Sequence, residues 1–251
     1  TRPIVIKGQD GKKVAYQGNP RLKRDNIQIE WTLELIEEYA RCAEDPIYFI
    51  ENYVKIITKD RGLQPLKLYD YQREMILHMK EGRFCIFATS RQAGKSTTTT
   101  SFILWYILFH SDQLVAILAN KAEIAQEIFA KVRLSYMYLP HWLQQGVLEW
   151  NKRSIELENN SRVIATATSS DAIRGFSVNL LFLDECAHID KWQDFSSSVM
   201  PTISSGTTTK IIMVSTPNGL NHFWNYWDNA KRGINGYRWV EVPWWRVPLD
   251  D

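Results

Sequence analysis

The first helices in the chain are predicted by the spacing of its apolar residues. Over residues 31–42, Leu33, Ile36, Tyr39 and Ala40 recur three or four positions apart, which predicts an amphipathic helix. A second helix is predicted over residues 46–53, because proline is well tolerated in a first helical turn. The twenty-odd residues that precede these helices are polar and basic, so we expect an exposed arm there.

From about residue 70 onward, short apolar runs alternate with longer amphipathic segments. The pattern predicts helices over residues 71–79, 96–110, 122–138 and 221–231, and strands over residues 84–88, 114–118, 180–183, 210–215 and 237–242. Two further runs, 154–157 and 162–166, flank Asn159 and Asn160 and predict a hairpin. Uniformly apolar strands separated by helices are typical of a mostly parallel sheet covered on both faces. The sequence therefore predicts a three-layer α/β fold with an inserted or appended β-hairpin.

Composition excludes several classes of protein. The chain has 251 residues, of which 45% are hydrophobic and 23% charged, which suits one substantial core and excludes fibrous and disordered classes. No apolar run approaches the roughly 18 residues of a membrane span. Three distant cysteines exclude a disulfide framework. A net charge of +2 does not exclude DNA binding through a local basic patch.

Trp239, Trp244 and Trp245 cluster near the end of the sequence. Their two alternative roles are packing in the core and forming an interface with a subunit or domain.

A phosphate-binding loop is predicted at residues 89–97, between the strand 84–88 and the following helix. The segment fits the pattern GxxxxGK[ST] except that Thr89 stands at the first glycine. Backbone N–H groups of such a loop bind phosphates, and Gly94 allows close approach of the backbone. Lys95 supplies a charge to the β- and γ-phosphates, and the Ser96 hydroxyl can bind Mg²⁺. Because GK[ST] alone is common, an ordinary turn with a solvated Lys95 is the alternative.

An acidic pair follows the apolar strand 180–183. Asp184 is placed to hold Mg²⁺, and Glu185 is placed to orient and deprotonate an attacking water. After a phosphate-binding loop and within a parallel-sheet pattern, this pair predicts an ATP hydrolysis site. We therefore expect a three-layer P-loop NTPase of the RecA/ASCE kind, with ATP and Mg²⁺ as cofactors.

Three spaced motifs carry a resemblance to a known family. Residues 90–96 (SRQAGKS), 180–185 (LLFLDE) and 215–219 (STPNG) together resemble the large terminase subunit of tailed bacteriophages, of the contractile-tailed coliphage type, over about residues 28–242. In this family a phosphate-binding loop with an early arginine and no first glycine is expected. The resemblance implies a viral DNA-packaging motor ATPase that drives double-stranded DNA into a procapsid.

The resemblance also implies partners and boundaries. Family members form a ring, usually a pentamer, on the portal protein, and work with a small terminase subunit. This implies a protein of the host cytoplasm that attaches transiently to the procapsid, is absent from the mature virion and needs no membrane. The implied division is an arm and helical segment over 1–65, an ATPase core over 66–242, and a tail over 243–251 that leads toward a nuclease domain. With no room for that domain, we expect no nuclease activity.

Residue roles carry over from the family position by position. Lys95 and Ser96 match the phosphate and metal positions, while Asp184 and Glu185 match the metal and catalytic carboxylates. Gln72 resembles a glutamine that contacts adenine, although a glutamine on a helix surface is the alternative. The implied nucleotide-binding loop and coupling motif comprise Ser90, Arg91, Gln92, Ala93, Gly94, Lys95, Ser96 and Thr97 and, for coupling, Ser215, Thr216 and Pro217.

Two arginines compete for the role of arginine finger. Arg174 resembles an arginine that reaches a neighbouring subunit's site, and Arg91 lies within the loop of its own site. We favour Arg174 acting in trans and Arg91 contacting phosphate in cis. Two other functions remain open at this point, a helicase-like nucleic-acid translocase and a non-catalytic nucleotide-binding scaffold module.

Overall fold

Strands and helices alternate along most of the chain. The computed structural model describes residues 6–8, 14–58, 60–169, 171, 173, 175–204 and 206–248. In chain order its elements are β1 (Ile6–Gly8), β2 (Ala15–Tyr16), β3 (Asn19–Lys23), β4 (Ile27–Ile29), α1 (Leu33–Glu44), α2 (Pro46–Tyr53), β5 (Lys55–Thr58), β6 (Gly62–Pro65), α3 (Asp70–Glu81), β7 (Phe84–Thr89), α4 (Lys95–Phe109), β8 (Leu114–Ala119), α5 (Ala122–Met137), β9 (Val147–Trp150), β10 (Ser154–Leu157), β11 (Arg162–Ala167), β12 (Leu180–Asp184), α6 (Trp192–Ser204), β13 (Lys210–Ser215), α7 (His222–Lys231) and β14 (Arg238–Val242).

Eight of these strands form one sheet, in the order β14-β7-β13-β12-β8-β11-β10-β9. The first six are mutually parallel, and β10 and β9 extend the sheet in antiparallel fashion. This confirms the predicted parallel sheet and the hairpin of β10 with β11. Because β7 lies beside β13, and β13 beside β12, the carboxyl ends of these three strands meet at one edge. Any residues that follow these strands are thereby brought together.

Helices cover both faces of the sheet. Along β7, Cys85 and Phe87 belong to the core shared with α2, α3, α4 and α5, while Ile86 and Ala88 belong to the core shared with α6 and α7. This alternation follows from the two-residue period of a strand. Helix α4 is buried on every side from Phe102 to Leu108 and is the central helix of its layer. The predicted three-layer arrangement is confirmed.

The N-terminal region is less exposed than its polar sequence predicts. Strands β2 and β3 form a hairpin, and Leu22 and Lys23 are buried. The backbone N–H of Lys23 donates to Gln144 Oε1 at 2.8 Å, and Gln144 Nε2 donates to the Arg21 carbonyl at 2.9 Å. The expectation of an exposed arm is wrong for this hairpin, because a distant glutamine binds its backbone. Residues 1–5 and 9–13 of the predicted arm lie outside the described residues.

The sequence pattern does not predict helix α6, because the segment contains several serines and an internal Pro201, which disfavour a helix. The helix forms because Phe195, Val199 and Ile203, spaced four residues apart, are buried against the sheet. The sequence pattern does not predict the β5–β6 hairpin or β9 either. The terminal tryptophans are not core residues, since Trp244 is 74% exposed and Trp245 69% exposed.

The described residues bear on two expectations taken from composition. None of the helices in these ranges combines the length and apolar character that a membrane crossing requires. Cys42, Cys85 and Cys186 are free and buried, so no disulfide links them, as expected. The division at residues 65 and 242 stays a prediction.

Candidate active site

The loop between β7 and α4 has the backbone of an anion-binding cradle. Gly94 precedes the first helical residue, Lys95, and adopts a left-handed conformation with φ of 69°. Within the described ranges no side chain caps the start of α4, so its first N–H groups are available to an anion. Thr89, at the position of the first glycine, is 1% exposed and ends β7. The Ser90 N–H donates to the Val242 carbonyl at 2.8 Å, which fixes the loop to β14.

Lys95 connects the three strand ends. Its Nζ donates to Glu185 Oε1 at 2.6 Å and to Thr216 Oγ1 at 2.9 Å. Glu185 follows β12 and Thr216 follows β13, while Lys95 begins the helix after β7. Residues far apart in sequence therefore meet because their strands are neighbours in the sheet.

Ser96 and Asp184 form a second contact across the same edge. Ser96 Oγ donates to Asp184 Oδ2 at 2.8 Å. Asp184 is 4% exposed, and its buried Oδ1 has no hydrogen-bond partner among the residues that the structure describes. Burial raises the pKa of Asp184, while the Ser96 hydrogen bond and the Lys95 charge oppose that rise. A hard cation prefers oxygen ligands of this kind, so the unpartnered Oδ1 and the adjacent hydroxyl fit Mg²⁺.

Glu185 is held by several donors in an unusual backbone conformation. Its φ is 49°, a left-handed value that is uncommon for residues other than glycine. Besides Lys95, its carboxylate faces the Thr216 N–H at 3.3 Å and His188 Nδ1 at 3.5 Å. Burial pushes the pKa of Glu185 upward, but the Lys95 hydrogen bond and charge, helped by Thr216 and His188, hold it below its usual range. Glu185 is therefore a carboxylate that stays ionised in this arrangement.

The segment after β13 links this carboxylate to the rest of the sheet. The buried Ser215 Oγ accepts from the Ala187 N–H at 3.0 Å and lies 3.4 Å from Glu185 Oε2. Pro217 lines a cavity of about 340 Å³ between the loop and α7, together with Trp224 and Trp227. The segment after β13 thus contacts the turn at residues 185–187 (the Glu185 turn) on one side and lies near α7 on the other.

The structure brings together most of the residues singled out from the sequence. Lys95, Glu185 and Thr216 contact one another, and Ser96 contacts Asp184 beside them. Gln72 is 4% exposed, so it is no helix-surface residue, and its amide bonds to the backbone of Tyr69 and Ala93. Its contact with adenine stays a prediction.

The remaining residues of the predicted loop differ in exposure. Arg91 and Gln92 are exposed at its outer turn, and Ala93 is buried. Ser90 Oγ is buried and has no hydrogen-bond partner in the described part of the chain, and Thr97 Oγ1 accepts from Lys131 Nζ at 3.4 Å. Arg174 lies outside the described residues, so its role as arginine finger also stays a prediction.

Three residues near the site were not predicted to contact it. Tyr71 donates through its hydroxyl to the Ala93 carbonyl at 3.2 Å, His188 lies against Glu185, and Lys131 reaches Thr97. Tyr71 and His188 lie within a few residues of Gln72 and Glu185 in the sequence, and this proximity is the sequence feature that indicates a place near the site. No sequence feature indicates that Lys131 lies near the site, because it is in the middle of an amphipathic helix.

A parallel sheet, a glycine-lysine-serine turn after one strand and an acidic pair after another define a P-loop NTPase. Comparison with known families is more specific. A family model described as "Terminase large subunit, T4likevirus-type, N-terminal" matches residues 86–247, well over half of the chain. The chain therefore belongs to the terminase large subunit family, represented by its N-terminal part.

Solved structures are similar in fold. The HK97 bacteriophage large terminase is 20% identical with a TM-score of 0.65, over 80% of this chain and 43% of that one. The large terminase ATPase domain of Thermus phage P74-26 is 20% identical with a TM-score of 0.55, over 70% of this chain and 80% of that one. The large terminase of a thermophilic bacteriophage, in complex with ATP-gamma-S, is 12% identical with a TM-score of 0.57, over 74% of this chain and 47% of that one. The chain thus matches less than half the length of the HK97 protein.

Proposed function

We propose that this chain is the ATPase domain of a viral DNA-packaging motor, which hydrolyses ATP to drive double-stranded DNA into a procapsid. One observation carries the proposal. The chain belongs to the terminase large subunit family, and five of its side chains meet at one edge of the sheet. Lys95 contacts the ionised Glu185 and Thr216, and Ser96 contacts Asp184 in a pair suited to a metal ion. This set supplies what phosphoryl transfer to water requires, namely charge neutralisation, a metal position and a base.

Each residue has a distinct proposed task. Lys95 neutralises charge on the β- and γ-phosphates, and the N–H groups at the start of α4 bind the phosphate oxygens. Ser96 and Asp184 would hold Mg²⁺, which when bound supplies Lewis-acid stabilisation of phosphate charge. Glu185 orients and deprotonates the attacking water.

The ion pair of Lys95 with Glu185 gives the nucleotide-free site a resting arrangement. A lysine that donates at 2.6 Å to the proposed base keeps that base from accepting a water proton. The phosphates of an incoming nucleotide compete for the same ammonium group, so binding frees Glu185. Because Thr216 contacts both residues, we propose that it senses this exchange, while Ser215 and Pro217 carry it into α7.

An arginine is still required to stabilise the transition-state charge, an effect worth roughly 10³–10⁵ in rate. We propose Arg174 of a neighbouring subunit for that task and Arg91 for phosphate contact within its own site. The proposal includes a ring of subunits, usually five, on the portal protein, with a small terminase subunit as further partner. The place of action would be the host cytoplasm, on the procapsid.

Two substitutions test the catalytic assignment. We expect Glu185→Gln to keep ATP binding and lower turnover by about 10²–10⁴, the contribution of a positioned general base. We expect Lys95→Ala to lose tight binding. Calorimetric ATP titration and steady-state phosphate release measure the two effects, with Glu123→Gln on the exposed start of α5 as the control. Equal loss of binding in both variants would contradict these separate tasks.

The ring assignment has its own measurement. Specific ATPase activity should rise with protein concentration, and Arg174→Ala should abolish that rise while Arg91→Ala weakens nucleotide binding. Activity that is independent of concentration and sensitive only to Arg91→Ala would mean that each site is complete within one chain. Tight ATP binding without turnover at any concentration would favour the non-catalytic module instead.

A further inference from the structure

The Glu185 turn is in contact with the beginning of α7. His222 Nε2 lies 2.7 Å from the Cys186 carbonyl oxygen, and Asn221 Nδ2 donates to the Ala187 carbonyl at 2.8 Å. Because a carbonyl oxygen only accepts, the first contact requires a proton on Nε2 of the imidazole. Two adjacent side chains at one helix end therefore bind successive carbonyls of the turn that carries the proposed base.

One peptide group of this turn is held at both of its polar atoms. The carbonyl of Cys186 and the N–H of Ala187 belong to the same planar, trans peptide group, so they point in opposite directions. His222 binds the carbonyl, and Ser215 Oγ accepts the N–H at 3.0 Å. From within the turn, the same carbonyl accepts the Ile189 N–H at the longer distance of 3.3 Å. Side chains from outside the turn thus fix the orientation of this peptide group.

The orientation of that peptide group affects where the carboxylate lies. It is only one residue beyond Glu185, whose φ of 49° is a left-handed value that needs support from its surroundings. A rotation of the peptide group alters the backbone angles beside Glu185 and displaces the side chain. Contacts that prevent this rotation therefore keep the carboxylate in its place at the sheet edge.

The two donors are themselves held in place. Asn221 Oδ1 accepts from the Phe223 N–H at 3.1 Å and from the Trp224 N–H at 3.4 Å, which caps the start of α7. The His222 ring is stacked on the Trp192 ring, with 4.4 Å between the ring centroids and 7° between the planes. Phe223 is 2% exposed and belongs to the core on this face of the sheet. A fixed helix end therefore presents both donors to the turn.

We propose that Asn221 and His222 are positioning residues, which hold the Glu185 turn so that the carboxylate stays in place to orient and deprotonate water. The proposal rests on the proposed function, since it takes Glu185 as the base. The groups proposed to bind phosphate, Lys95 and the N–H groups at the start of α4, belong to another segment of the chain. Loss of either donor therefore lowers turnover while ATP binding is kept.

Asn221→Ser tests the first donor. Serine is a good cap for a helix start, but its shorter side chain gives up the hydrogen bond to Ala187. We expect phosphate release at saturating ATP and Mg²⁺ to slow about 3- to 10-fold, the usual effect of one hydrogen bond, while the Kd of ATP changes less than about twofold. Asn225→Ser is the control, because it makes the same change on the exposed side of α7. Equal rates in the two variants would contradict the proposal.

A pair of substitutions at His222 separates the hydrogen bond from the ring stacking. His222→Phe keeps a ring against Trp192 and removes the donor, whereas His222→Gln removes the ring and keeps a side-chain N–H for the Cys186 carbonyl. We expect His222→Phe to lower turnover about 3- to 10-fold and His222→Gln to retain most of it. The reverse order would mean that stacking on Trp192, and not the contact with the turn, supports activity.

A double variant tests whether His222 and Ser215 hold the same peptide group. Either single change already loosens that group, so the two losses should not be independent. We expect Ser215→Ala/His222→Phe to lose less turnover than the product of the two single losses. Losses that multiply in full would mean that the two side chains act on separate parts of the site, and the proposal would then be wrong.

Binding and stability measurements identify the remaining outcomes. Calorimetric ATP titration that shows binding weakened in step with turnover would mean that the two residues support the whole site, which overturns the proposal. Thermal unfolding gives the folded fraction of each variant, so turnover is expressed per folded chain. A merely structural role would lower the melting temperature and leave that rate unchanged. If the unmodified chain neither binds nor hydrolyses ATP, the proposed function itself fails, and this inference fails with it.

Discussion

At the scale of single residues, the site is an arrangement of groups that restrain one another. Lys95 is held by Glu185 and Thr216, Asp184 by Ser96, and the Glu185 turn by Ser215. Glu185 keeps a left-handed backbone, a conformation that persists only where the surroundings determine it. The Ser215 hydroxyl is one such determinant, because it accepts the Ala187 N–H two residues beyond Glu185.

Replacing this hydroxyl should affect both stability and rate. Ser215→Ala leaves the buried Ala187 N–H without its acceptor, which costs about 1–3 kcal/mol of unfolding free energy. The loosened turn displaces Glu185, and we expect turnover to fall about tenfold, equal to about 1.4 kcal/mol of barrier. Urea unfolding and steady-state ATPase assays measure the two effects. Ser197→Ala, on the exposed side of α6, is the control; a Ser215→Ala variant that matches it in both assays would refute this account.

At the scale of elements, a half-buried lysine joins α3 to the sheet. Lys210, the first residue of β13, donates through Nζ to the carbonyls of Met79 and Gly82 at 2.9 and 2.6 Å, and to that of Lys80. These carbonyls belong to the C-terminal end of α3, where helical carbonyls lack partners and a positive charge is favourable. The same α3 supplies Tyr71 and Gln72 at its other end, so Lys210 helps to fix the helix that contacts the loop.

Lys210→Met tests this link, because methionine fills similar space without a charge or donors. We expect the unfolding free energy to fall by about 1–3 kcal/mol, since hydrogen bonds from a charged group are lost. The melting temperature should fall by about 2–4 °C per kcal/mol in a domain of this size. Lys152→Met, at the exposed tip of the β9–β10 hairpin, should have no measurable effect. Equal melting temperatures for the two variants would show that Lys210 does not stabilise α3.

Elements with local signals could be predicted from the sequence, and elements with nonlocal ones could not. Helix α2 matches its predicted bounds, because Asp45 caps it through Ile47 and Tyr48 and a proline begins it. Helix α6 has weak local preference and exists through burial of Phe195 on the sheet.

The same distinction holds for the candidate site. The spacing of Lys95 and Ser96 after a strand, and of Asp184 and Glu185 after another, predicts that they share one sheet edge, and the structure places them there. Spacing does not predict that Lys95 contacts Glu185, or that Tyr71 contacts Ala93, because these contacts depend on strand order and on how α3 packs.

At the scale of the whole molecule, half-buried histidines make the fold sensitive to acid. Burial lowers the pKa of His78, His110, His141 and His222, although backbone or charged neighbours partly oppose it. The folded state therefore favours the neutral rings, and the unfolded state binds more protons as the pH falls through about 6.5, the ordinary histidine value. The resulting stability is present above that pH and is lost below it.

Urea unfolding at pH 7.5 and pH 5.5 measures this loss. We expect the unfolding free energy to fall on acidification, with a slope of up to about 1.4 kcal/mol per pH unit for each proton taken up. Carboxylates with ordinary pKa values contribute little to that difference, since they are mostly ionised over this range. The raised pKa of the buried Asp184 acts in the opposite direction, because its folded form binds a proton more readily than its unfolded form. His222→Gln should reduce the slope, because it removes one of the protons. Stability that is unchanged or higher at pH 5.5 would be inconsistent with histidine rings that the fold keeps neutral.

The place of β7 in the sheet has a consequence for how the protein is made. This strand carries the phosphate-binding loop, yet both of its neighbours, β13 and β14, come much later in the sequence. A chain emerging from the ribosome therefore completes α4 and β8 long before β7 has any strand to pair with. Such distant pairings form slowly, because a long segment must be closed into a loop first. The newborn chain should accordingly bind nucleotide only after β13 and β14 have emerged and paired with β7.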